Sequence, residues 1–272
     1  MVSLDTRFTA LVLAASRGNP NDPLAPHCDG GNKCLIDVAG QPMIVWVLRT
    51  LLASPQISRV LVSTDDDQLL DDLPEFADAR SRGDLQLVPS GKNLFESVAS
   101  ALRADLQGNL PALITTADNP LLTVEMVEYF CKSVVATRAS GAIAMTRAEV
   151  MRAEYPNGQR RFYAFKDGEF SNCNLYAVVK EDAVGGARIF AEGGQFRKKT
   201  MRILNAFGLV NLLLYRLGVL SLQDVAERMS RLVRAPISFV EMPYATACID
   251  VDNERTLTLA RHIMEERGRA AA

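Results

Sequence analysis

The sequence predicts an α/β protein in which a mostly parallel, twisted sheet is covered by helices on both faces. The first observation is a set of short apolar runs, typical of strands buried on both sides, at 8–14, 57–64, 85–90, 111–117 and 141–146. The second is that helical segments separate most of these runs, as in βαβ units. The composition agrees, since 48% hydrophobic and 23% charged residues are typical of a globular chain with a large core.

Three of the intervening segments are predicted to be helices. Residues 40–54 carry an apolar stripe, and Pro42 suits a first helical turn. The helix over 93–106 has Asn93 as its N-cap, and the helix over 123–136 has Thr123. Ligands of such sheets bind at the carboxyl ends of the strands. The loops to consider are therefore 14–41, 64–68, 89–93 and 117–122.

The pattern changes near residue 147. A hairpin is predicted over 160–179, with its turn in "KDGEF". Helical segments follow at 181–192, 197–216 and 221–233, then strands at 237–243 and 246–252, and a closing helix at 254–268. We interpret the chain as one domain over 1–272, with a core at about 7–146 and 236–266. A hairpin and a helical insertion occupy about 147–235.

The net charge, the cysteine and histidine counts and the apolar stretches of the sequence argue against several classes of partner and site. The net charge of −2 gives no general attraction to nucleic acid or to anionic membranes. Five scattered cysteines fit free thiols in a reducing cytoplasm. With only two histidines, a His-rich metal site is not expected. Residues 1–10 lack the apolar core of a signal peptide, and the apolar stretch 203–222 is too interrupted by polar residues and glycine for a transmembrane helix.

The loop after the first strand is the first candidate site. Small residues follow the strand directly, namely Ala14, Ala15, Ser16 and Gly18. They allow backbone N–H groups to approach a ligand, and Arg17 and Lys33 add positive charge at the two ends of the loop. The combination suits a polyphosphate, although neither GxxxxGK[ST] nor GxGxxG occurs. A flexible surface loop is the alternative.

Three carboxylates form the second candidate site. Asp118 directly follows an apolar strand, where it suits Mg²⁺ bound together with phosphate oxygens, or else a plain Asp-Asn-Pro turn. Asp250 and Asp252 are two apart on a predicted strand, so both side chains are expected on one face. Their repulsion favours a cation between them. The alternative, in which Asp252 caps the helix that begins near Asn253, explains only Asp252.

Together, "LVLAASRG", "ALITTADNPLLT" and "CIDVDNERTL" resemble, in this order, the MobA-like NTP transferases and related nucleotidyltransferases. The resemblance covers most of 7–146 and 236–266, and it implies a Rossmann-like sheet of the GT-A nucleotidyltransferase type with a helical insertion. The usual opening is L-A-A-G-x-G-x-R, followed by Pro-Lys. Here Ser16 replaces the first glycine, and Asn32 replaces the proline before Lys33.

The resemblance also implies roles for individual residues. Lys33 would neutralise the α-phosphate and Arg17 would contact the β- and γ-phosphates. Asp118 would bind Mg²⁺ or Mn²⁺, with Asp250 or, preferably, Asp252 as the second carboxylate. The backbone after the first strand would hold the nucleotide, through Leu13, Ala14, Ala15, Ser16 and Gly18. Gly91 and Ser97 would line the base pocket. Asn174 would contact the acceptor.

The implied reaction transfers NMP from an NTP to a small phosphorylated acceptor, such as a sugar-, polyol- or cofactor-phosphate, and releases pyrophosphate. The first alternative is a glycosyltransferase of the same fold that uses a nucleotide-sugar, although "DNP" at 118–120 does not match its usual D-x-D. The second is a non-catalytic nucleotide-binding module. Segment 197–234 joins the basic Arg197, Lys198 and Lys199 to a long apolar stretch. It could pack on the core, cover the acceptor site, form a homodimer contact or touch a membrane surface.

Overall fold

The computed structural model describes residues 6–15, 22–28, 31–104, 106–158, 161–185 and 213–271. The strands of this part are β1 (Phe8–Leu13), β2 (Asp37–Val38), β3 (Gln41–Pro42), β4 (Ile57–Thr64), β5 (Leu85–Pro89), β6 (Ala112–Thr116), β7 (Gly141–Arg147), β8 (Tyr163–Phe165), β9 (Gly168–Val178) and β10 (Ile237–Glu241). Its α-helices are α1 (Met43–Ala53), α2 (Ala77–Arg82), α3 (Leu94–Arg103), α4 (Leu106–Asn109), α5 (Val124–Thr137), α6 (Ala148–Glu154), α7 (Glu181–Val184), α8 (Leu222–Val233) and α9 (Glu254–Ala271).

The main sheet confirms the predicted fold class. Its strand order is β10-β7-β9-β6-β1-β4-β5, and β8 pairs with β9 outside this path. Strand β1 is parallel to β4 and β6, β4 is parallel to β5, and β10 is parallel to β7. Strand β9 is antiparallel to both of its neighbours, β6 and β7. The sheet is therefore mostly parallel, as expected of an α/β protein.

Helices cover both faces of this sheet. On one face, Val12, Val60 and Val62 pack in a cluster with residues of α1 and α5. On the other face, Leu11, Leu61 and Ile114 pack with residues of α3 and with Ala235, which follows α8. The alternation of side chains along each strand sends successive apolar residues to the two layers. This explains why the strand sequences read as continuous apolar runs.

The local sequence signals for the first half of the chain are confirmed. All five predicted strands form within a residue or two of their expected bounds. Asn93 accepts a hydrogen bond from the Glu96 N–H at 2.9 Å, and Thr123 accepts one from the Met126 N–H at 3.3 Å. Both residues are therefore side-chain N-caps. Pro42 lies one position before its expected place, as the N-cap residue of α1.

The predicted hairpin forms from β8 and β9, with its turn at residues 166–167. The sequence pattern predicts only a hairpin, but in the structure its second strand, β9, also lies between β6 and β7 in the middle of the main sheet. The single-domain organisation remains a prediction.

The strand predicted over 246–252 is wrong. Ala245–Cys248 form a 3₁₀ turn, and the residues from 249 to the start of α9 belong to no strand. The Val251 N–H donates to the carbonyl oxygen of Asp118 at 2.9 Å, so this segment crosses the loop that follows β6. A strand requires a ladder of such bonds to a neighbouring strand, and the segment leaves the sheet after β10.

The helical insertion is described only in part. Helix α8 forms as predicted, with a capping box between Ser221 and Asp224. Residues 186–212, which include most of the predicted helix 197–216 as well as Arg197, Lys198 and Lys199, lie outside the described residues. In the part of the chain that is described, no helix has the length and apolar character needed to cross a membrane.

Candidate functional site

The site is built where β1 and β6 end side by side. Leu13 and Thr116 are register partners in this parallel pair, and the Ala117 N–H donates to the Leu13 carbonyl at 3.1 Å. On the other side, the Ala14 N–H donates to the Ser63 carbonyl of β4 at 2.9 Å. The loop after β1 and the loop carrying Asp118 therefore start next to each other. Ser16, Arg17 and Gly18 lie outside the described residues.

Lys33 joins two of the predicted carboxylates. Its Nζ donates to Asp118 Oδ2 at 3.0 Å and to Asp252 Oδ1 at 3.2 Å. The side chains of Lys33 and Asp118 are only 23% and 22% exposed. Burial alone would lower the pKa of Lys33, but the carboxylates of Asp118 and Asp252 raise it above its ordinary value. The ammonium therefore stays charged at neutral pH.

Asn32 ties the two ends of the first loop together. It is buried, its Nδ2 donates to the Ala14 carbonyl at 2.8 Å, and its Oδ1 accepts from the Cys34 N–H at 3.1 Å. The second bond caps the 3₁₀ turn Lys33–Leu35. Sequence reasoning noted Asn32 only as a departure from the usual Pro-Lys pair. Its position just before a short turn was the available signal, since asparagine is a favoured cap.

Asp250 faces a different partner. Its Oδ2 accepts a hydrogen bond from Asn174 Nδ2 at 2.9 Å. Asn174 has a φ of +51° in a strand, opposite a register shift of β7 between Ile143 and Met145. Such a bulge re-aims a side chain next to a site. Burial, and then the nearby charges of Asp252 and Asp118, raise the pKa of Asp250.

Asp252 does not cap the last helix. Asn253 Oδ1 accepts from the Thr256 N–H at 3.2 Å, and the helix starts at Glu254, so Asn253 is the capping residue. The structural alternative for Asp252 is therefore wrong. The Asp252 carboxylate makes no cap bond to this helix and instead accepts a hydrogen bond from Lys33 Nζ.

The described carboxylates can supply only part of the coordination shell of a divalent cation. No group of three or more Asp, Glu, His or Cys side chains in the described ranges is arranged to hold a metal by itself. Asp118 Oδ1, however, is buried and has no hydrogen-bond partner among the residues that the structure describes. Mg²⁺ typically takes one or two carboxylates and completes its shell with phosphate oxygens and water. The residues present fit that mode of binding.

The segment after β5 is tightly folded. The Gly91 N–H donates to Ser97 Oγ at 2.9 Å, which closes the turn onto the first turns of α3. A Cβ at position 91 would lie 2.4 Å from Glu96 Cβ and 2.7 Å from the Ser97 nitrogen. Only glycine fits there without displacing backbone. The structure thus brings the two predicted base-pocket residues, Gly91 and Ser97, into direct contact.

A comparison with protein families decides the identity. The family model of the MobA-like NTP transferase domain matches residues 10–203, which include most of β1, Lys33, Asp118 and β9. The chain is a member of the MobA-like NTP transferase family. In this MobA-like protein, Asp250 and Asp252 lie beyond the matched region and reach the site through the Val251–Asp118 bond.

Curated relatives of this family member are cytidylyltransferases. It is 33% identical over 96 residues to 3-deoxy-manno-octulosonate cytidylyltransferase of Acidobacterium capsulatum, a match covering 34% of the chain and 35% of the relative. It is 31% identical over 131 residues to 2-C-methyl-D-erythritol 4-phosphate cytidylyltransferase of Streptomyces avermitilis, covering 47% and 50%. The matches thus span between about a third and a half of each relative.

Solved structures show the same fold. A hypothetical transferase from Thermus thermophilus superposes with a TM-score of 0.72 and 26% identity, covering 93% of this chain and all of that one. The 4-diphosphocytidyl-2C-methyl-D-erythritol synthase of Anaerococcus prevotii gives 0.58 and 12%, covering 96% and 97%. CMP:2-keto-3-deoxy-manno-octonic acid synthetase, solved with CTP, gives 0.58 and 15%, covering 96% and 100%.

Proposed function

We propose that this MobA-like protein transfers a nucleoside monophosphate from an NTP to a small phosphorylated acceptor and releases pyrophosphate. The observation that carries the proposal is Lys33 Nζ, held 3.0 Å from Asp118 and 3.2 Å from Asp252 at the carboxyl edge of the sheet. Positive and negative groups there are arranged for a ligand that combines phosphates with a cation.

Asp118 and Asp252 are the proposed ligands of Mg²⁺ or Mn²⁺. They share the same ammonium, so their oxygens converge on one point, whereas Asp250 Oδ2 is engaged by the Asn174 amide. Asp118 Oδ1, to which no described residue donates a hydrogen bond, provides a further lone pair. When bound, the metal would supply charge neutralisation of the triphosphate.

The chain's own residues would align and neutralise the reacting groups. An acceptor phosphate is already ionised at neutral pH, so attack on the α-phosphorus requires no general base. Lys33 would stabilise the charge that builds on the α-phosphate, and Arg17 that on the leaving β- and γ-phosphates. The backbone of Leu13, Ala14 and Ala15, with Ser16 and Gly18 beyond it, would cradle the triphosphate.

CTP is the proposed nucleotide, because both curated relatives are cytidylyltransferases. Gly91 and Ser97 would line the base pocket, where the Ser97 hydroxyl accepts from Gly91 and can still donate its proton. Asn174 would contact the acceptor, since its bulge brings it to Asp250 beside the two metal carboxylates. A sugar- or polyol-phosphate is the proposed acceptor class.

The test measures pyrophosphate release with Mg²⁺, each of CTP, GTP, UTP and ATP, and a panel of sugar- and polyol-phosphates. We expect turnover with CTP and one acceptor class, abolished by EDTA. A thermal-shift series with the same nucleotides runs alongside, because a ligand that binds the native state raises its melting temperature. Stabilisation by a nucleotide without pyrophosphate release from any pair would instead identify a binding module.

A further inference from the structure

Lys33 lies where a cation shared by Asp118 and Asp252 would have to bind. Its Nζ is 3.0 Å from Asp118 Oδ2 and 3.2 Å from Asp252 Oδ1. A Mg²⁺ ion binds oxygen at about 2.0–2.1 Å and requires its ligands close around it. An ammonium and a divalent cation cannot occupy the same gap between two carboxylates, since both the volume and the like charges oppose it.

We propose that the Lys33 ammonium is a built-in competitor that keeps free divalent metal off Asp118 and Asp252, so that metal enters together with the nucleotide. The inference rests on the proposed function only in taking these two carboxylates as cation ligands. It adds an order of binding that the transfer reaction by itself does not require.

Release of the carboxylates by Lys33 requires movement of its side chain only, because the backbone on either side of it is held in place. Asn32 holds the start of the 3₁₀ turn Lys33–Leu35 through Cys34 and holds Ala14 on the far side of the loop. The position of the Lys33 backbone is therefore set, and the four-carbon stem is what moves. A triphosphate gives the ammonium a new anionic partner and gives the metal additional oxygen ligands.

It follows that nucleotide and metal should bind cooperatively and reciprocally. Metal alone must displace an ammonium that loses its contacts with two carboxylates. Metal with nucleotide displaces one that moves onto a phosphate. By occupying the gap between Asp118 and Asp252, Lys33 lowers the affinity of this site for free metal and makes it selective for the metal–nucleotide complex.

The test is Mn²⁺ binding to the full chain without nucleotide, followed by electron paramagnetic resonance. Lys33→Met keeps most of the stem and removes the charge, and we expect it to bind Mn²⁺ about tenfold more tightly than the wild type, or better. Lys33→Arg, which keeps a cation, should stay weak. The matched control is Lys132→Met, which breaks a remote exposed lysine–carboxylate pair, Lys132 Nζ to Glu128 Oε2 at 2.7 Å, and should change nothing.

A second measurement uses the unmodified chain, in case Lys33→Met does not fold. Mass spectrometry follows acylation of Lys33 as Mg²⁺ is raised, with Lys132 as the internal reference. We expect acylation of Lys33 to stay slow at low Mg²⁺ and to accelerate only at metal concentrations high enough to displace it from the carboxylates, while Lys132 is unaffected at every concentration.

Equal Mn²⁺ affinity in the wild type and in folded Lys33→Met would overturn the inference. So would Lys33 acylation that already accelerates at low Mg²⁺, or that stays unchanged when metal is bound to the wild type. The failure of the proposed function is distinguishable, because it would appear as absent turnover with every nucleotide while the metal measurements still give their result.

Discussion

The backbone N–H of Val251 donates to the carbonyl oxygen of Asp118 at 2.9 Å. This bond joins two acidic segments that are more than a hundred residues apart in the chain. Because of it, Asp250 and Asp252 flank the loop after β6 from a segment that forms no strand of its own. This bond, together with the bond from Asn174 to Asp250, holds the segment that carries Asp252 beside Lys33.

Loss of either charge at the centre of the site should remove activity without unfolding the chain. We expect Lys33→Ala and Asp118→Ala each to reduce pyrophosphate release about a hundredfold or more, as for other charge contacts made in a transition state. Melting temperatures should stay close to that of the wild type. Lys132→Ala, a surface control, should keep full activity, and full activity in either site variant would contradict the mechanism.

Asn32 should matter for nucleotide binding as well as for stability. Asn32→Ala leaves the Ala14 carbonyl and the Cys34 N–H without their partner, which costs about 1–3 kcal/mol for buried groups. If the loop after β1 binds the triphosphate as proposed, the KM for the NTP should rise, because the two ends of this loop separate.

Thr123→Ala is the matched control for this prediction. It removes the N-cap bond that Thr123 accepts from the Met126 N–H of α5, at a cost of about 1 kcal/mol, and leaves both Asn32 bonds in place. Its melting temperature should fall while its KM stays constant. An unchanged KM in Asn32→Ala would show that the tie is only structural.

Gly91→Ala should disturb the proposed base pocket. The new Cβ would meet Glu96 and the backbone of Ser97 at 2.4–2.7 Å, so the Gly91–Ser97 turn must open. We expect a lower melting temperature and loss of the additional stabilisation by CTP. Gly268→Ala adds the same methyl group where nothing lies within 4 Å, in the last helix, and should be neutral or stabilising. A normal CTP shift in Gly91→Ala would exclude this segment from base binding.

Asp250 should destabilise the metal-free protein as the pH rises. Burial and neighbouring carboxylates raise its pKa above the ordinary 3.8, so the folded state holds this proton more tightly than the unfolded one. Its contribution to stability is present at low pH and is lost as the pH increases through the raised pKa. Asp250→Asn, whose amide oxygen can still accept from Asn174, should therefore raise the melting temperature increasingly from about pH 4 upward.

The measurement is a melting series in EDTA, with Asp224→Asn as a control of opposite sign. Hydrogen bonds from Ser221 lower the pKa of Asp224 in its capping box, so its loss should destabilise the chain above the ordinary carboxyl pKa. If Asp250→Asn melts at the wild-type temperature across the pH range, Asp250 is not held in a destabilising environment.

Much of this protein was predictable because the relevant signals are local. The apolar runs of β1, β4 and β6, and the caps Asn93 and Thr123, depend on residues within a few positions of each other. Because parallel strands end at one edge, the chain order placed the loops 14–41 and 117–122 at the same edge of the sheet. That Lys33 and Asp118 share one site was an implication of the family resemblance.

The segment "TACIDVD", at 246–252, shows that local signals do not predict every element. Its alternation of apolar and polar residues is that of a strand, yet a strand exists only where a neighbouring strand offers free backbone groups. That condition is set by the placement of β9 and β10, which no local pattern contains.

The sequence by itself determined the α/β fold, the caps of its helices and the identity of the charged residues at the carboxyl edge. Only the tertiary structure decided that Asn32 ties together the two ends of the loop after β1, that Asn253 and not Asp252 caps the last helix, and that Lys33 bridges Asp118 and Asp252. These last features are contacts between residues far apart in the chain. Their existence depends on how the packed sheet orients each loop, and not on the neighbours of a residue along the sequence.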